Sequence, residues 1–382
     1  MVELQESAKS GQAPLHQTHR RFFPVTEHLI YLNHAAVAPL AKPAADAIAT
    51  LSADACNFGS FHYDKWLEVY EKLRIGAARL INADRSEIAI VKNTSEGIAT
   101  IALGIDWRQG DKIVAFREEF PANYYPWVRL QARGVLLEWR SITDPLDSID
   151  ESCRGARLLA ISFVNYLSGY RVNLDAIGEI CRRRGTLFFV DAIQGLGAFP
   201  LDVRRAGIHA LSADGHKWLL GPEGCGVLYI RKDLQDEVEP VEFGWTNVRN
   251  YADYASRDMT LRPDAGRYEC GTLNTVGCYG LRAAIDFLIE AGVARVAEEV
   301  LDRSRQLAGG VVAKGYELIA PWNRETASGI VTFRRPDLDS RLVVKGLRER
   351  KIVAAPRQGW IRASPHFYIS PADIDDVLAA LP

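Results

Sequence analysis

The chain of 382 residues lacks the sequence features that are typical of nucleic-acid-binding, membrane-spanning and secreted proteins. Its net charge is only −2, and it has no long basic run and no interleaving of aromatic and basic residues, so nucleic acid is not an expected partner. No apolar segment approaches the roughly 18 residues of a membrane-spanning helix, so no membrane association is expected. The first twelve residues, MVELQESAKSGQ, lack the basic start and apolar centre of a signal peptide.

Cysteine is also sparse and scattered. The six cysteines form no CxxC pair and none has the spacing of metal ligands, so no metal site is expected. Reduced thiols and a cytoplasmic location are the simplest interpretation of this pattern. No internal repeat or low-complexity segment is present.

What the chain does have is enough apolar sequence, 48%, for a sizeable core. Short apolar runs alternate with helical patterns between about residues 88 and 230, which predicts an α/β fold with a mostly parallel sheet and helices on both faces. The predicted organisation is an N-terminal arm at 1–20 that is loose and polar, a large domain at 21–275, and a smaller C-terminal α+β domain at 276–382.

The stretch from Leu187 to Gly226 carries the strongest signal. An apolar run, Leu187–Val190, ends at Asp191, and a second one, Ile208–Leu211, leads into the polar residues that end at Lys217. Because the carboxyl ends of parallel strands open on one edge of a sheet, these runs bring a carboxylate and an amine to one region. This pairing of a carboxylate with an amine indicates a chemical role for the region rather than packing alone.

Four further features each allow a functional and a structural interpretation. Thr94 and Ser95 begin a helix, where they can bind a phosphate or simply cap the helix. Phe120 lies in an aromatic cluster that can cover a flat ligand or pack as core. Asn33 and His34 either line a pocket or end a strand. Arg362 lies between apolar residues and needs a carboxylate, from a ligand or from a structural salt bridge.

The residues ADGHKWLLGPEGCGVLY at 213–229, together with VDAIQ at 190–194, resemble the class V aminotransferase family of pyridoxal-phosphate (PLP) enzymes. The similarity is greatest to the branch of cysteine desulfurases, selenocysteine lyases and isopenicillin N epimerases. It implies the PLP-dependent transferase fold type I, with a mostly parallel seven-stranded sheet in the large domain. It also implies pyridoxal 5′-phosphate as cofactor, a small amino-acid substrate, and a homodimer with active sites at the interface.

The resemblance also implies roles for individual residues. Lys217 looks like the Schiff-base lysine that later moves the substrate α-proton, and Asp191 looks like the partner of the ring nitrogen. Phe120 would stack on the ring, and Arg362 would hold the substrate carboxylate. The other implied contacts are Gln194 and Asn165 near the ring hydroxyl, Thr94, Ser95 and His216 at the phosphate, Gly271 and Thr272 at the phosphate of the neighbouring subunit, and Asn33, His34 and Asn165 at the substrate.

The sequence departs from the family pattern at several positions. Asp214 replaces a serine that helps hold the phosphate in desulfurases, and we expect it to turn away and pair with His216 or an arginine. Residues 355–361, which correspond to the desulfurase loop with the nucleophilic cysteine, contain no cysteine, so the sequence predicts an enzyme that is not a Cys-nucleophile desulfurase.

The expected reaction passes through a ring-stabilised Cα carbanion, as in a lyase acting by C–S or other β-elimination, or in an epimerase. A transaminase, or a non-catalytic PLP-fold binding protein, is the alternative. Recognition of the substrate side chain is expected in the loop region, at Trp245, Asn247, Arg249 or Tyr268.

Overall fold

The computed structural model describes residues 13–382 as an α/β protein with a seven-stranded central sheet. The helices in order are α1 Leu15–His19, α2 Lys42–Phe58, α3 Tyr63–Ile81, α4 Thr94–Gly104, α5 Tyr125–Arg129, α6 Leu146–Ser152, α7 Leu174–Arg184, α8 Thr275–Ala291, α9 Val293–Ala313, α10 Ser340–Glu349 and α11 Pro371–Ala380. The strands are β1 Ile30–Tyr31, β2 Ile88–Val91, β3 Lys112–Phe116, β4 Leu136–Arg140, β5 Leu158–Ser162, β6 Leu187–Asp191, β7 Ala210–Asp214, β8 Gly226–Ile230, β9 Glu317–Leu318, β10 Val331–Arg334, β11 Ile352–Val353, β12 Ala355–Arg357 and β13 Trp360–Ala363.

The central sheet has the strand order β2-β8-β7-β6-β5-β3-β4, and only β8 runs against the others. Alternate residues of β8 enter different cores: Val227 and Tyr229 pack in one cluster, Leu228 and Ile230 in the other. Both faces of the sheet are therefore buried, which is why its strands are nearly continuous apolar runs. The predicted fold, a mostly parallel seven-stranded sheet covered on both faces, is confirmed.

The C-terminal part of the chain forms a separate four-stranded antiparallel sheet, β12-β13-β10-β9. Strand β1, near the beginning of the described chain, pairs in parallel with β11. This pairing crosses the predicted division after residue 275, which stays a prediction. The β1–β11 pairing brings residues 33–38 next to the turn that follows β7, where the amide of Ala38 donates to the carbonyl of His216 at 2.7 Å.

Residues 1–12 of the predicted N-terminal arm lie outside the described residues. Its last part differs from the expected loose segment, because Leu15–His19 forms α1 and Leu15 is fully buried in the main core. Just beyond it, Arg20 pairs with Asp373 of α11, and the Phe23 ring stacks on Tyr368 at 3.7 Å. Within residues 13–382, no helix combines the length and the apolar character that crossing a membrane requires.

Candidate active site

The predicted carboxylate and amine lie at neighbouring strand ends. Asp191 is the last residue of β6, and Lys217 follows the end of β7 by three residues. The turn that carries Lys217 is closed by the amide of Leu220, which donates to the Lys217 carbonyl at 3.1 Å. Leu220 has a φ of +59°, a strained conformation for a branched residue, and its fully buried side chain holds it there.

Burial and neighbouring charges shift both groups. Burial is the main cause that lowers the pKa of Lys217 to about 8, and Arg362 lowers it further while Asp191 raises it. Burial raises the pKa of Asp191 to about 6, opposed by a hydrogen bond from the Ile193 amide and by the charge of Lys217. The site thus holds an amine that loses its proton near pH 8, well below the usual range of lysine, beside a carboxylate that is charged at neutral pH.

Phe120 presents its ring beside this amine. The ring is 47% exposed, and its centroid lies 5.8 Å from Lys217 Nζ. Its edge contact with Tyr166, with centroids 5.3 Å apart, fixes its orientation. A large aromatic face left open beside a reactive amine suits a flat ligand.

Arg362 reaches the site from β13 of the C-terminal sheet. It is only 3% exposed, and its Nη1 donates to the carbonyl of Tyr166 at 2.7 Å. Burial, together with the charge of Arg357, lowers its pKa to about 10, so it stays a cation. Among the described residues no carboxylate pairs with it, which excludes the structural salt bridge that the sequence left open.

Two predicted site residues each have a buried polar atom without a hydrogen-bond partner within residues 13–382. These atoms are Asn33 Oδ1 and Arg362 Nε. Each such atom costs about 1–3 kcal/mol when nothing satisfies it. The unsatisfied nitrogen of Arg362, whose charge acts on Lys217, fits a site that a polar ligand fills, such as pyridoxal phosphate with its substrate.

Helix α4 begins beside the end of β7. Asn93 caps it, because its Oδ1 accepts the amide of Glu96 at 2.9 Å. Thr94 is buried and its hydroxyl accepts the Asp214 amide at 2.9 Å, whereas Ser95 is exposed. Thr94 therefore ties the helix start to the strand end, and the Ser95 side chain with the amides of Thr94 and Ser95 is left for an anion.

Asp214 turns away from that helix start, as expected. Its Oδ1 accepts the Gly215 amide at 2.7 Å, and its Oδ2 lies 3.1 Å from His216 Nδ1. The predicted pairing of Asp214 with His216 is thus present in the structure.

Two predicted ligands of the ring hydroxyl are already engaged. Gln194 accepts from the Trp218 indole at 2.9 Å and donates to the Ala35 carbonyl at 3.0 Å. Asn165 donates to the Glu118 carbonyl at 2.7 Å, and its oxygen holds the following turn. Each side-chain amide keeps one free hydrogen.

His34 does not lie where it was expected. It is fully buried, and its two ring nitrogens contact the Ser364 carbonyl and the Tyr368 hydroxyl, each at 2.7 Å. Burial lowers its pKa to about 4, so it is a neutral bridge between the β1 segment and the C-terminal sheet. His34 is therefore engaged on both ring nitrogens, and the substrate contacts expected of Asn33, Asn165 and Arg362 stay predictions.

Of the four loop residues expected to recognise the substrate side chain, two are engaged inside the protein and two are exposed. Asn247 is buried and closes the loop on itself, and Tyr268 donates to two backbone carbonyls. Trp245 and Arg249 are exposed. Thr272 is exposed and Gly271 is partly exposed in this single chain.

Sequence reasoning missed Glu119. It is buried, whereas its neighbour Glu118 is exposed, and the sequence EEF contains no signal that separates the two. The sequence also gave no reason to expect that the Tyr166 carbonyl would orient Arg362.

Comparison with known proteins identifies the relatives of the chain. The class V aminotransferase family profile matches residues 30–375. A probable cysteine desulfurase of Pyrococcus abyssi is 30% identical over 95% of this chain and 96% of its own length. The apo structure of a cysteine desulfurase from Thermococcus onnurineus superposes with a TM-score of 0.89 at 26% identity, covering 97% of this chain and 98% of its own.

A further similar structure is the lyase C-DES, at 25% identity and a TM-score of 0.87 over 94% of this chain and 98% of its own. It is described as a cystine C–S lyase in complex with its reaction product, cysteine persulfide. In a second structure, a mutant of C-DES carries glycine covalently linked to its PLP cofactor.

The prediction that this enzyme is not a Cys-nucleophile desulfurase is wrong, because relatives and structural neighbours over nearly the whole chain are cysteine desulfurases. That prediction rested on residues 355–361 alone. They form the β12–β13 hairpin, with a two-residue turn at Gln358 and Gly359.

The predicted fold type and cofactor follow from the family and are confirmed. The chain belongs to the class V aminotransferase family of pyridoxal-phosphate enzymes.

Proposed function

We propose that this protein is a PLP-dependent C–S lyase that acts on a small sulfur amino acid, cysteine or cystine. The observation that carries the proposal is the buried guanidinium of Arg362, which has no carboxylate among the described residues and lies close enough to Lys217 to lower the pKa of its amine. A buried cation without a counter-ion is costly, and an amino-acid carboxylate would satisfy it. The names of the relatives supply the sulfur chemistry.

When bound, pyridoxal phosphate supplies an electron-accepting ring that stabilises a carbanion at Cα. Asp191 would hold the ring nitrogen, Phe120 would cover the ring, and Ser95 and His216 would lie at the phosphate. Arg362 would fix the substrate carboxylate and thereby aim the Cα–H bond. Because burial lowers the pKa of Lys217 to about 8, a fraction of its Nζ is unprotonated at physiological pH and would take that proton. The Cβ–S bond then breaks in one of two ways: elimination leaves the electron pair on sulfur, whereas attack of an enzyme cysteine thiolate on that sulfur leaves the pair on Cβ, which is protonated, and the enzyme keeps the sulfur as a persulfide.

The experiment is to incubate the PLP-loaded enzyme with cysteine and with cystine and to separate the products. Pyruvate and ammonia, with sulfide or a free persulfide, support the lyase. Alanine with a persulfide on the protein indicates the desulfurase route. Conversion of the cofactor to its amine form, or solvent deuterium at Cα without cleavage, would instead support the transaminase or the epimerase.

Two thiols within the described chain are open to solvent and are the ones to test as sulfur acceptors. Cys56 is exposed and Cys270 is partly exposed, whereas the other four cysteines are buried. Substitution of each by alanine, followed by mass spectrometry after reaction with cysteine, tells a protein-bound persulfide from a released one.

The homodimer stays part of this proposal. Exposed apolar side chains concentrate around the α2–α3 connection and in the loop at 241–259, and their exposure in one chain supports a partner surface there. They are Phe58, Phe61, Tyr63 and Leu67 in the first group and Val241, Phe243, Trp245, Tyr251, Tyr254 and Met259 in the second. The cytoplasmic location expected from cysteine usage stays a prediction.

A further inference from the structure

Glu119 is a buried carboxyl group that the proposed reaction does not use. It lies between the end of β3 and Phe120 and is 7% exposed. Its Oε1 accepts the amide of Ser162 at 2.6 Å, and the Ser162 hydroxyl donates to its Oε2. One residue thus clamps both oxygens, which fixes the carboxyl in a single orientation.

The clamp places Glu119 next to Asp191. Ser162 is the last residue of β5, and the sheet register pairs it with Asp191, the last residue of β6. Two carboxyl groups therefore occupy adjacent strand ends in the buried floor of the site. Within the described chain no lysine, arginine or histidine pairs with Glu119, whereas Lys217 acts on Asp191.

Ionisation of Glu119 is therefore energetically unfavourable. Burial, reinforced by the charge of Asp191, raises the pKa of Glu119 to about 7, against the hydrogen bonds from Ser162. Among the described residues, Asp191 supplies the charge that acts on it. A glutamine would keep the Ser162 contacts without this cost, so a purely structural role does not account for a carboxyl at this position.

We propose that Glu119 is a positioning residue that acts through Asp191: it adds negative potential at the end of β6, strengthens the hold of Asp191 on a protonated ring nitrogen, and ionises when that cation binds. The proton leaves the Glu119 carboxyl for solvent, and the bound cation balances the new charge. The inference rests on the cofactor site of the proposed function and not on C–S cleavage.

The test compares wild type with Glu119→Gln as apoproteins that bind pyridoxal phosphate. Calorimetric titration at pH 7 in Pipes and in imidazole, whose ionisation enthalpies differ, measures the protons exchanged per cofactor bound. Since a group with a pKa near 7 is half protonated at that pH, the variant should release about half a proton fewer than wild type. The difference should vanish at pH 9, where Glu119 is already ionised.

The affinity should change in parallel. Loss of a neighbouring charge in a buried site should raise the Kd for pyridoxal phosphate in Glu119→Gln by about tenfold. Glu118→Gln is the matched control, because the Glu118 side chain is exposed and, among the described residues, its hydrogen bonds come from the Ser141 hydroxyl and the Ile142 amide. It should behave as wild type in both measurements.

A stability readout separates positioning from a structural role. The pKa of Glu119 is higher in the folded state than in the unfolded one, so its charge costs stability as pH rises toward and above 7. Apo Glu119→Gln should therefore melt above wild type at pH 8, whereas a structural role predicts a lower melting temperature.

Equal proton release and equal Kd in wild type and Glu119→Gln would overturn the inference. If Glu119→Gln does not fold, Ser162→Ala serves instead, because loss of the hydroxyl donor raises the Glu119 pKa and should shift the maximum of proton release to higher pH. A wild-type apoprotein that does not bind pyridoxal phosphate at all would overturn the proposed function itself.

Discussion

Lys217 and Arg362 are two cations in one partly closed space, and the cost of that arrangement sets the protonation of the amine. Burial and the positive charge of Arg362 both favour the neutral amine of Lys217, and Asp191 opposes them. A neutral amine is the form that reacts with an aldehyde and that accepts a proton. The charges around Lys217 and its burial thus set the reactivity of its amine.

The first prediction concerns the pH dependence of cofactor attachment. The rate at which the visible absorbance develops when pyridoxal phosphate meets the apoprotein should rise with pH up to about 8 and then level off, because the pKa of Lys217 is lowered to about 8. Stopped-flow absorbance between pH 6 and 10 measures it. Lys217→Ala should lack the band. A rate that keeps rising to pH 10, or a variant with both band and turnover, contradicts the assignment.

The second prediction concerns Arg362. Arg362→Gln should raise KM for cysteine by about 10²-fold, since a charge-assisted pair with a carboxylate contributes about 1.5–3 kcal/mol. Its Kd for pyridoxal phosphate should stay unchanged. Cysteamine, which lacks the carboxylate, supplies the control: wild type should discriminate strongly between it and cysteine in binding, and the variant should not. Equal discrimination by both proteins would remove Arg362 from substrate binding.

At the scale of elements, the turn after β6 supports the turn that carries Lys217. Gly197 has a φ of +95°, and a Cβ placed on it would lie 2.4 Å from the Trp218 carbonyl oxygen. The Trp218 indole in turn donates to Gln194 at the start of the same segment. The position of Lys217 therefore depends on close backbone packing between two strand-end turns.

The third prediction tests that packing. Gly197→Ala should destabilise the protein by about 3 kcal/mol or more, because a positive φ costs about 1–2 kcal/mol and the steric clash adds to it. Gly110→Ala is the matched control, since Gly110 has a φ of +91° and open space around its Cβ position. It should lose only the backbone part, and only Gly197→Ala should also weaken binding of pyridoxal phosphate. Denaturant unfolding of both variants measures the loss of stability, and titration with pyridoxal phosphate measures the loss of cofactor binding.

At the scale of the whole molecule, the loop before α8 is anchored from inside while its tip faces outward. Glu269 is buried and pairs with Arg74 of α3 at 2.8 Å, and it accepts the Ile90 amide of β2 at 2.9 Å. Two residues beyond it, the chain emerges at Gly271 and Thr272. Such an anchored, outward-facing loop suits delivery of a side chain to a second subunit.

The fourth prediction tests this delivery with mixed dimers. Lys217→Ala and Thr272→Glu homodimers should each be inactive, while a mixture unfolded and refolded together should regain activity. In the mixed dimer one site combines an intact Lys217 with an intact Thr272 from the partner subunit. If Thr272 acts within its own chain, every site stays defective and no activity returns. Light scattering should give twice the 42.5 kDa mass of one chain.

The sequence by itself determined the elements and the polar ends of the strands. Helix α7, at Leu174–Arg184, shows this, because the helical pattern stops at Gly185 in the sequence and Gly185 ends the helix in a left-handed conformation. Asp191 and Lys217 could be placed together because strand ends share one edge of a parallel sheet, and this inference needs no knowledge of distant contacts.

Only the tertiary structure decided which polar side chains face the site. His34 is held in the core by Ser364 and Tyr368, and Glu119 is clamped by Ser162, in each case by a contact between residues more than 40 positions apart. Local patterns do not specify such pairings, since burial depends on how separate elements pack. For the same reason, only the fold shows that no carboxylate among the described residues pairs with Arg362.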